Sequence, residues 1–304
     1  MKRAIVTGAT GFIGYKLVKK LLSHGYCITL VARDRRKIEN HIYRQENIFV
    51  IEKSIENLVP SDFDIWGYDV FFNLAWEGVS TESKNKANIQ LANIGMCIHA
   101  AEVANAVKCE KFISAGTVAE YALCDNVMDF ESRQAPNDMY GAAKVSAHYF
   151  LDVKNRQLDQ DFIWVVLPST YGEGRTDHNI INYTICSLLK GEVPKYGELT
   201  QLWDFLYVDD VVDALILIGE KGRKENVYGI GSGQYRPLKE YIMMIRDMIN
   251  PKLEIGIGYN RNMAGKAFSS CVDIYNLVRD TGFQPNISFE EGIKRTIEWY
   301  RTRI

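Results

Sequence analysis

A chain of 304 residues, 47% hydrophobic and 24% charged, can bury a full core as one large α/β unit or as two closely joined domains. Its formal net charge of −2 leaves no basic footprint for nucleic acid, and no uninterrupted apolar run is long enough to span a bilayer. The opening M-K-R-A-I-V-T-G breaks at glycine after a few apolar residues, so no signal peptide is expected there.

From the first residues, short apolar runs alternate with amphipathic stretches. Ala4–Thr7, Ile28–Ala32, Ile48–Ile51, Val70–Ala75, Phe112–Ser114 and Phe162–Leu167 read as buried strands. Between two of them Leu91, Ile94, Ile98 and Ala101 recur at helical spacing and predict one apolar face. Such alternation predicts an α/β fold with a Rossmann-like, doubly wound parallel sheet. After about residue 170 the elements become mixed, with Gly/Pro punctuation at Gly191–Pro194, Gly229–Gly233 and Pro251. The expected organisation is a dinucleotide-binding domain over residues 1–168, to which part of about 205–230 returns, and a smaller mixed α/β C-terminal substrate domain over 169–304. Ser288 with Glu291 predicts a capping box for the last helix, with Phe289, Ile293 and Ile297 on its buried face. The six cysteines (27, 97, 109, 124, 186, 271) contain no CxxC pair and no histidine at ligand spacing. That pattern predicts a reducing cytoplasm, with neither a disulfide framework nor a metal site.

The stretch Thr7-Gly-Ala-Thr-Gly-Phe-Ile-Gly14 follows the first strand and opens the first helix. Gly8, Gly11 and Gly14 suit a tight turn, close approach to a pyrophosphate and close helix–sheet contact. The anion is expected on the N–H groups of the helix start. An NAD site usually has an acid at the end of the second strand. Here that place falls at Ala32, followed by Arg33, Asp34, Arg35 and Arg36. A small residue plus arginine suits a 2′-phosphate, so the expected cofactor is NADP, gripped by Arg33 and Arg36. Asp34 keeps NAD as the alternative, and a solvated charge cluster is the ordinary reading of such a run.

Tyr140-Gly-Ala-Ala-Lys144 lies at a helix start, and residues four apart share a face, so phenol and ammonium can enter one site. A nearby ammonium and a cationic nicotinamide stabilise phenolate, which makes tyrosine a usable acid/base. Upstream, Ile113-Ser-Ala-Gly-Thr-Val-Ala-Glu-Tyr-Ala122 offers two hydroxyls, Ser114 and Thr117.

Together these motifs resemble the extended short-chain dehydrogenase/reductases, in particular the nucleotide-sugar epimerases, dehydratases and keto-reductases. The resemblance runs through TGATGFIG (7–14), NLAW (73–76), the Asn93 helix, GTVAEYA (116–122), YGAAK (140–144), PSTYGEG (168–174), QLWDFLYVDDVVDA (201–214) and TGFQPNISFEEGIKRTIEWY (281–300). It implies that Thr117, Tyr140 and Lys144 are catalytic, since Thr117 stands four residues before Tyr121. It implies cofactor contacts from Gly8, Thr10, Gly11, Phe12, Ile13, Gly14, Leu74, Ala75, Asn93, Ser114, Tyr140, Lys144 and Pro168. Substrate contacts are implied for Trp76, Thr117, Tyr140, Ser169 and Asn179. Asn93 resembles the asparagine that helps position the lysine, and Ser114 is expected to line the cofactor.

The dehydratases of the family carry their acid directly after the catalytic hydroxyl, where this chain has Val118 and Ala119. Glu120 comes one residue late and, in an extended segment, faces the other way, so dehydration is disfavoured. Three further departures stand out: Trp203 replaces the usual arginine of the R-D-F segment, Val166-Leu-Pro-Ser169 replaces R-x-x-N, and Asn73 replaces the histidine before L-A-A. The expected activity is NADPH-dependent reduction of a 4-keto sugar nucleotide. A 4-epimerase with retained NAD is the alternative, and a non-catalytic dinucleotide sensor is a reading from another class. The resemblance also implies a homodimer through the helices that contain Asn93 and Tyr140.

Overall fold

The computed structural model describes residues 1–39, 42, 44–122, 128, 132–224, 226–259 and 270–304; Cys124 lies outside them. Six strands form where the apolar runs predict them, and among the described residues three of the connections between them are α-helices. The strands are β1 (Arg3–Thr7), β2 (Cys27–Ala32), β3 (Ile48–Glu52), β4 (Tyr68–Asn73), β5 (Cys109–Thr117) and β6 (Asp161–Leu167). Between them lie α1 (Phe12–Ser23), α2 (Ala87–Ala106) and α3 (Met139–Leu158). The chain continues through β7 (Ser169–Tyr171), α4 (Ile180–Leu189), β8 (Leu202–Trp203), β9 (Phe205–Tyr207), α5 (Val208–Lys221) and β10 (Asn226–Gly229). It ends with β11 (Arg236–Pro237), α6 (Leu238–Ile249), α7 (Tyr275–Thr281) and α8 (Phe289–Arg301).

Seven strands form one parallel sheet in the order β10-β6-β5-β4-β1-β2-β3. The order reverses at β1, so a crevice opens beyond the C-terminal ends of β1 and β4, where open α/β sheets bind ligands. One sheet face buries Leu17, Leu21, Val211 and Leu215 from α1 and α5. The other buries Cys97, Ala101, Ala147 and Leu151 from α2 and α3. A third core, around Tyr171, Phe205, Tyr241, Phe289 and Ile293, holds the C-terminal elements together. Each Leu, Val, Ile or Phe side chain among these, fully buried, contributes roughly 1.5–3 kcal/mol.

At the rim of the sheet, β4 and β5 end elsewhere than expected. β4 stops at Asn73, because Leu74 and Ala75 leave the sheet to lie against the glycine loop. β5 runs well past the expected 112–114, because Gly116 lets it pass two side chains: a Cβ there would lie 2.3 Å from Trp164 Nε1 and 2.5 Å from Glu120 Oε1.

The apolar stripe of α2 is also displaced. Ile94 and Ala101 are buried, but Leu91 is 66% exposed, and the inner face uses Gln90, Asn93, Cys97 and Ala104. At α8, Ser288 Oγ accepts from Glu291 N at 3.2 Å, while the Glu291 carboxylate meets Arg295 Nε at 2.8 Å. Half of the capping box forms, and Phe289, Ile293 and Ile297 are buried as the periodicity predicts. Among the described residues no helix is long and apolar enough to cross a membrane, and no group of three His, Cys, Asp or Glu could hold a metal ion.

Candidate active site

The glycine loop is shaped by close approach. Gly8 has φ +73°, and a Cβ there would lie 2.9 Å from Ala75 N; at Gly14 a Cβ would lie 2.1 Å from Gly8 O. No side chain caps α1 at Gly11, so the first N–H groups of this helix face the crevice with their partial positive charge. A cavity of about 560 Å³ opens beside them, lined by Gly8, Thr10, Gly11, Arg33, Leu74, Ala75 and Asn93 among others. A second, of about 870 Å³, continues past Phe12, Ile13 and Gly14 to Thr117, Tyr140, Lys144, Pro168, Ser169 and Asn179. Bare backbone, a helix start and two connected cavities fit a dinucleotide with a substrate at its far end.

At the end of β2, Ala32 brings no carboxylate to the cavity wall, whose acids, Glu56 and Glu77, come from other segments. Asp34 is turned away: it accepts from Arg36 N at 3.0 Å, Arg36 Nε at 2.9 Å and Arg36 Nη2 at 3.0 Å. Those bonds hold its carboxyl down at about 2. Arg36 is therefore bound to Asp34 and does not line the cavity, contrary to expectation. Arg33 does line it, and its guanidinium meets Glu77 Oε2 at 3.0 Å across the mouth.

Thr117, Tyr140 and Lys144 come together at the end of β5 and the start of α3. Thr117 ends its strand, its Oγ1 accepting from Ala119 N at 3.3 Å, and its hydroxyl lines the same cavity as the Tyr140 phenol. Asp138 caps α3 by accepting from Gly141 N at 2.8 Å, which fixes Tyr140 on the first turn. Burial pushes the Tyr140 phenol up to about 12, while the nearby Thr117 hydroxyl pulls it back. One turn on, Lys144 Nζ donates to Ala115 O at 2.6 Å and lies 6.0 Å from the Tyr140 ring. Burial lowers the pKa of its ammonium, and the Cys97 thiol and Glu120 carboxyl oppose that.

Ser114 and Asn93 make other contacts than expected, and the segment after Thr117 takes another shape. Ser114 is buried below the cavity floor, accepting from Asn73 Nδ2 at 3.1 Å, and does not line the cofactor cavity. Asn93 lines that cavity but clamps a loop: Oδ1 accepts from Glu77 N and Nδ2 donates to Glu77 O, both at 2.9 Å. It does not reach Lys144 directly. Residues 118–121 form a 3-10 turn rather than an extended segment. The turn drives Glu120 into the interior, where it accepts from Thr117 N at 2.8 Å and from Trp164 Nε1 at 3.3 Å. Burial raises its carboxyl above the ordinary range, so this acid braces the backbone under Thr117 and does not face the cavity.

Sequence reasoning missed Arg175. Its Nε and Nη2 meet the Asp177 carboxylate at 2.7 and 2.9 Å, Nη1 donates to Thr170 O, and its guanidinium lies 5.8 Å from the Phe12 ring in the larger cavity. The signal was a cation inside the glycine-rich segment YGEGR, next to a motif already singled out.

A sequence model of the NAD dependent epimerase/dehydratase family matches residues 4–231, which takes in the glycine loop, the YxxxK helix and all seven strands of the main sheet. The chain belongs to that family. Membership makes it an enzyme of the extended short-chain dehydrogenase/reductase type. Along nearly its whole length the chain is similar to dTDP-glucose 4,6-dehydratase of Haemophilus influenzae, 25% identical over 334 residues, which covers 99% of this chain and 98% of that one. Among solved structures it is similar to UDP-glucose 4-epimerase of Thermotoga maritima with UDP-glucose, at TM-score 0.84, 25% identity and 99% coverage of both chains. It is also similar to MoeE5 in complex with UDP-glucuronic acid and NAD, at TM-score 0.84 and 25% identity, covering 99% of this chain and 100% of that one. Family membership and these likenesses agree on the fold and the enzyme class, and they span both epimerases and dehydratases.

Proposed function

We propose that this enzyme reduces a 4-keto sugar carried on a nucleotide, using NADPH. The observation that carries the cofactor choice is the end of β2. Ala32 and Arg33 line the cavity, Asp34 of that turn is held by Arg36, and Glu77, the acid that meets Arg33, reaches it from across the mouth. A guanidinium beside a small residue favours a 2′-phosphate over a bare ribose. When bound, a reduced nicotinamide supplies hydride. Tyr140 Oη gives the proton to the substrate oxygen, Thr117 Oγ1 holds that oxygen by a hydrogen bond, and Lys144 stabilises the phenolate left behind.

The substrate end favours a large, partly apolar ligand: Ile180, Ile181, Trp203, Phe205 and Leu238 line the far wall. With Trp203 at the usual arginine place, Arg175 is the cation there that suits an anionic group such as a diphosphate. The turned-in Glu120 supports reduction over dehydration, because no carboxylate follows Thr117 into the cavity.

A second reading, a 4-epimerase with retained NAD, is favoured by the likeness to the Thermotoga epimerase and to the NAD-bound MoeE5. The same Thr117, Tyr140 and Lys144 serve it. The chain as a homodimer is supported by exposed Leu91 on α2 and Tyr149, Phe150 and Val153 on α3, which a second copy would cover.

The test is to denature the purified protein, identify any released nucleotide, and measure NADPH and NADH binding to the emptied enzyme. An empty site with at least tenfold preference for NADPH is expected, lost on Arg33→Ala. Tightly retained NAD, or equal affinity for the two coenzymes, overturns the reductase reading.

A further inference from the structure

Lys144 is covered by an aromatic wall. Its Nζ lies 3.7 Å from the centroid of the Trp76 ring, well inside the roughly 6 Å over which a ring face attracts a cation. The indole is held on three sides. Nε1 donates to Gln90 Oε1 at 2.9 Å, and Gln90 Nε2 donates in turn to Gly78 O at 2.7 Å. Gly78, at φ +75°, turns the chain so tightly that a Cβ would lie 2.8 Å from Ile89 Cγ2. The Tyr140 ring meets the indole edge-on, 6.1 Å between centroids at 79°. Asn93 locks the backbone of Glu77, the next residue, as described above.

A ring face differs from the other means of keeping a cation inside a protein. A carboxylate at that place would take the ammonium's N–H groups and hold them; an aliphatic wall would leave the charge unsupported. The face of an indole attracts the charge while accepting none of its protons in a strong hydrogen bond. One N–H of Lys144 goes to Ala115 O, and the others stay available to partners in the cavity.

We propose that Trp76 is a positioning residue whose indole face holds the Lys144 ammonium in place and favours its cationic form. The inference rests on Lys144 being the ammonium of the Thr117–Tyr140–Lys144 set. Trp76 thus acts on the chemistry through Lys144, a role different from the substrate contact expected at this position.

The titratable groups that face Lys144 are Tyr140 on its own helix, the Cys97 thiol on α2 and the Glu120 carboxyl from the turn after β5. They are unchanged in a comparison of Trp76→Leu, which keeps bulk and dryness but removes the ring, with Trp76→Phe, which keeps a ring. The direct readout is the titration of Lys144 in cofactor-free protein carrying 13C at lysine Cε, its signal assigned with Lys144→Arg. Trp76→Leu is expected to move the midpoint down by about one pH unit, a tenfold change in the proton equilibrium, and to move the alkaline limb of kcat with it. Trp76→Phe is expected to stay near wild type. Gln90→Leu, which frees the indole, should fall between and carries the test if the Trp76 variants do not fold. A Trp76→Leu midpoint equal to wild type, or, where that variant does not fold, a Gln90→Leu midpoint equal to wild type, overturns the proposal. Loss of the catalytic reading itself would show differently: wild-type turnover in Lys144→Met, with the wild-type titration still sensitive to residue 76.

Discussion

The two ends of the cavity are built in opposite ways. At the cofactor end the decisive features are backbone: glycines with no room for a Cβ, a helix start and strand ends in register. At the substrate end they are side chains on the C-terminal elements: Trp203 from β8, Arg175 and Asp177 after β7, and Leu238 from α6. Backbone shape tolerates few residue types and so leaves a readable motif, whereas a wall of side chains can be rebuilt one residue at a time. The first end therefore indicates a class of cofactor and the second leaves the sugar open.

The largest expected effect breaks the junction between the ends. Tyr140→Phe should lower kcat by about 10²–10⁴-fold with dinucleotide affinity nearly unchanged; wild-type kcat would remove Tyr140 from the chemistry. Gly14→Ala attacks the cofactor end alone. The added Cβ meets Gly8 O at 2.1 Å, a backbone atom that cannot move without reshaping the loop, so coenzyme Kd should rise at least about tenfold. Calorimetric titration would detect it, and an unchanged Kd would contradict the close approach of Gly14 to Gly8 O. Arg175→Ala attacks the substrate end alone: KM for the sugar nucleotide should rise by about tenfold or more while kcat moves by no more than a few-fold. A drop in kcat at constant KM would place Arg175 in the chemistry instead.

The last effect leaves activity at neutral pH untouched, is confined to acid solution and separates site from scaffold. His148 stacks on Trp164 at 4.8 Å and 4°, and burial lowers its pKa to about 4. The unfolded chain, with an ordinary value near 6.5, binds the proton first as pH falls. The stabilisation is whole above about 6.5 and is lost as pH falls towards 4, on the order of 2–3 kcal/mol. His148→Phe should flatten that part of the stability profile, read by urea melts at pH 7 and pH 4.5, and leave kinetics at pH 7 alone. An unaltered slope would assign the acid sensitivity to other groups.

The strands and the Tyr140–Lys144 pair were legible because buried apolar runs and fixed spacings need no tertiary information. Other features depended on contacts between distant residues. Glu120 was read as pointing away along an extended segment; it does point away, but because a 3-10 turn lets it bond Thr117 N and Trp164. Arg36 looked as suitable as Arg33 until Asp34 claimed it. Leu91 belonged to a helical stripe by period, yet polar Gln90 and Asn93 take the inner face because their amides hold the loop at 76–78. A hydrophobic count cannot anticipate a buried amide with a structural task.

At the rim of the sheet, Thr7, Asn73 and Ser114 stand side by side on three neighbouring strands. Thr7 Oγ1 donates to Asn73 Oδ1 at 2.9 Å, and Asn73 Nδ2 donates to Ser114 Oγ at 3.1 Å. The row works as a crossbar: sliding any one strand past its neighbour would shear a bond that has no water to replace it. Three small polar side chains thus add to the backbone ladder in keeping these strand ends in register at the mouth of the crevice.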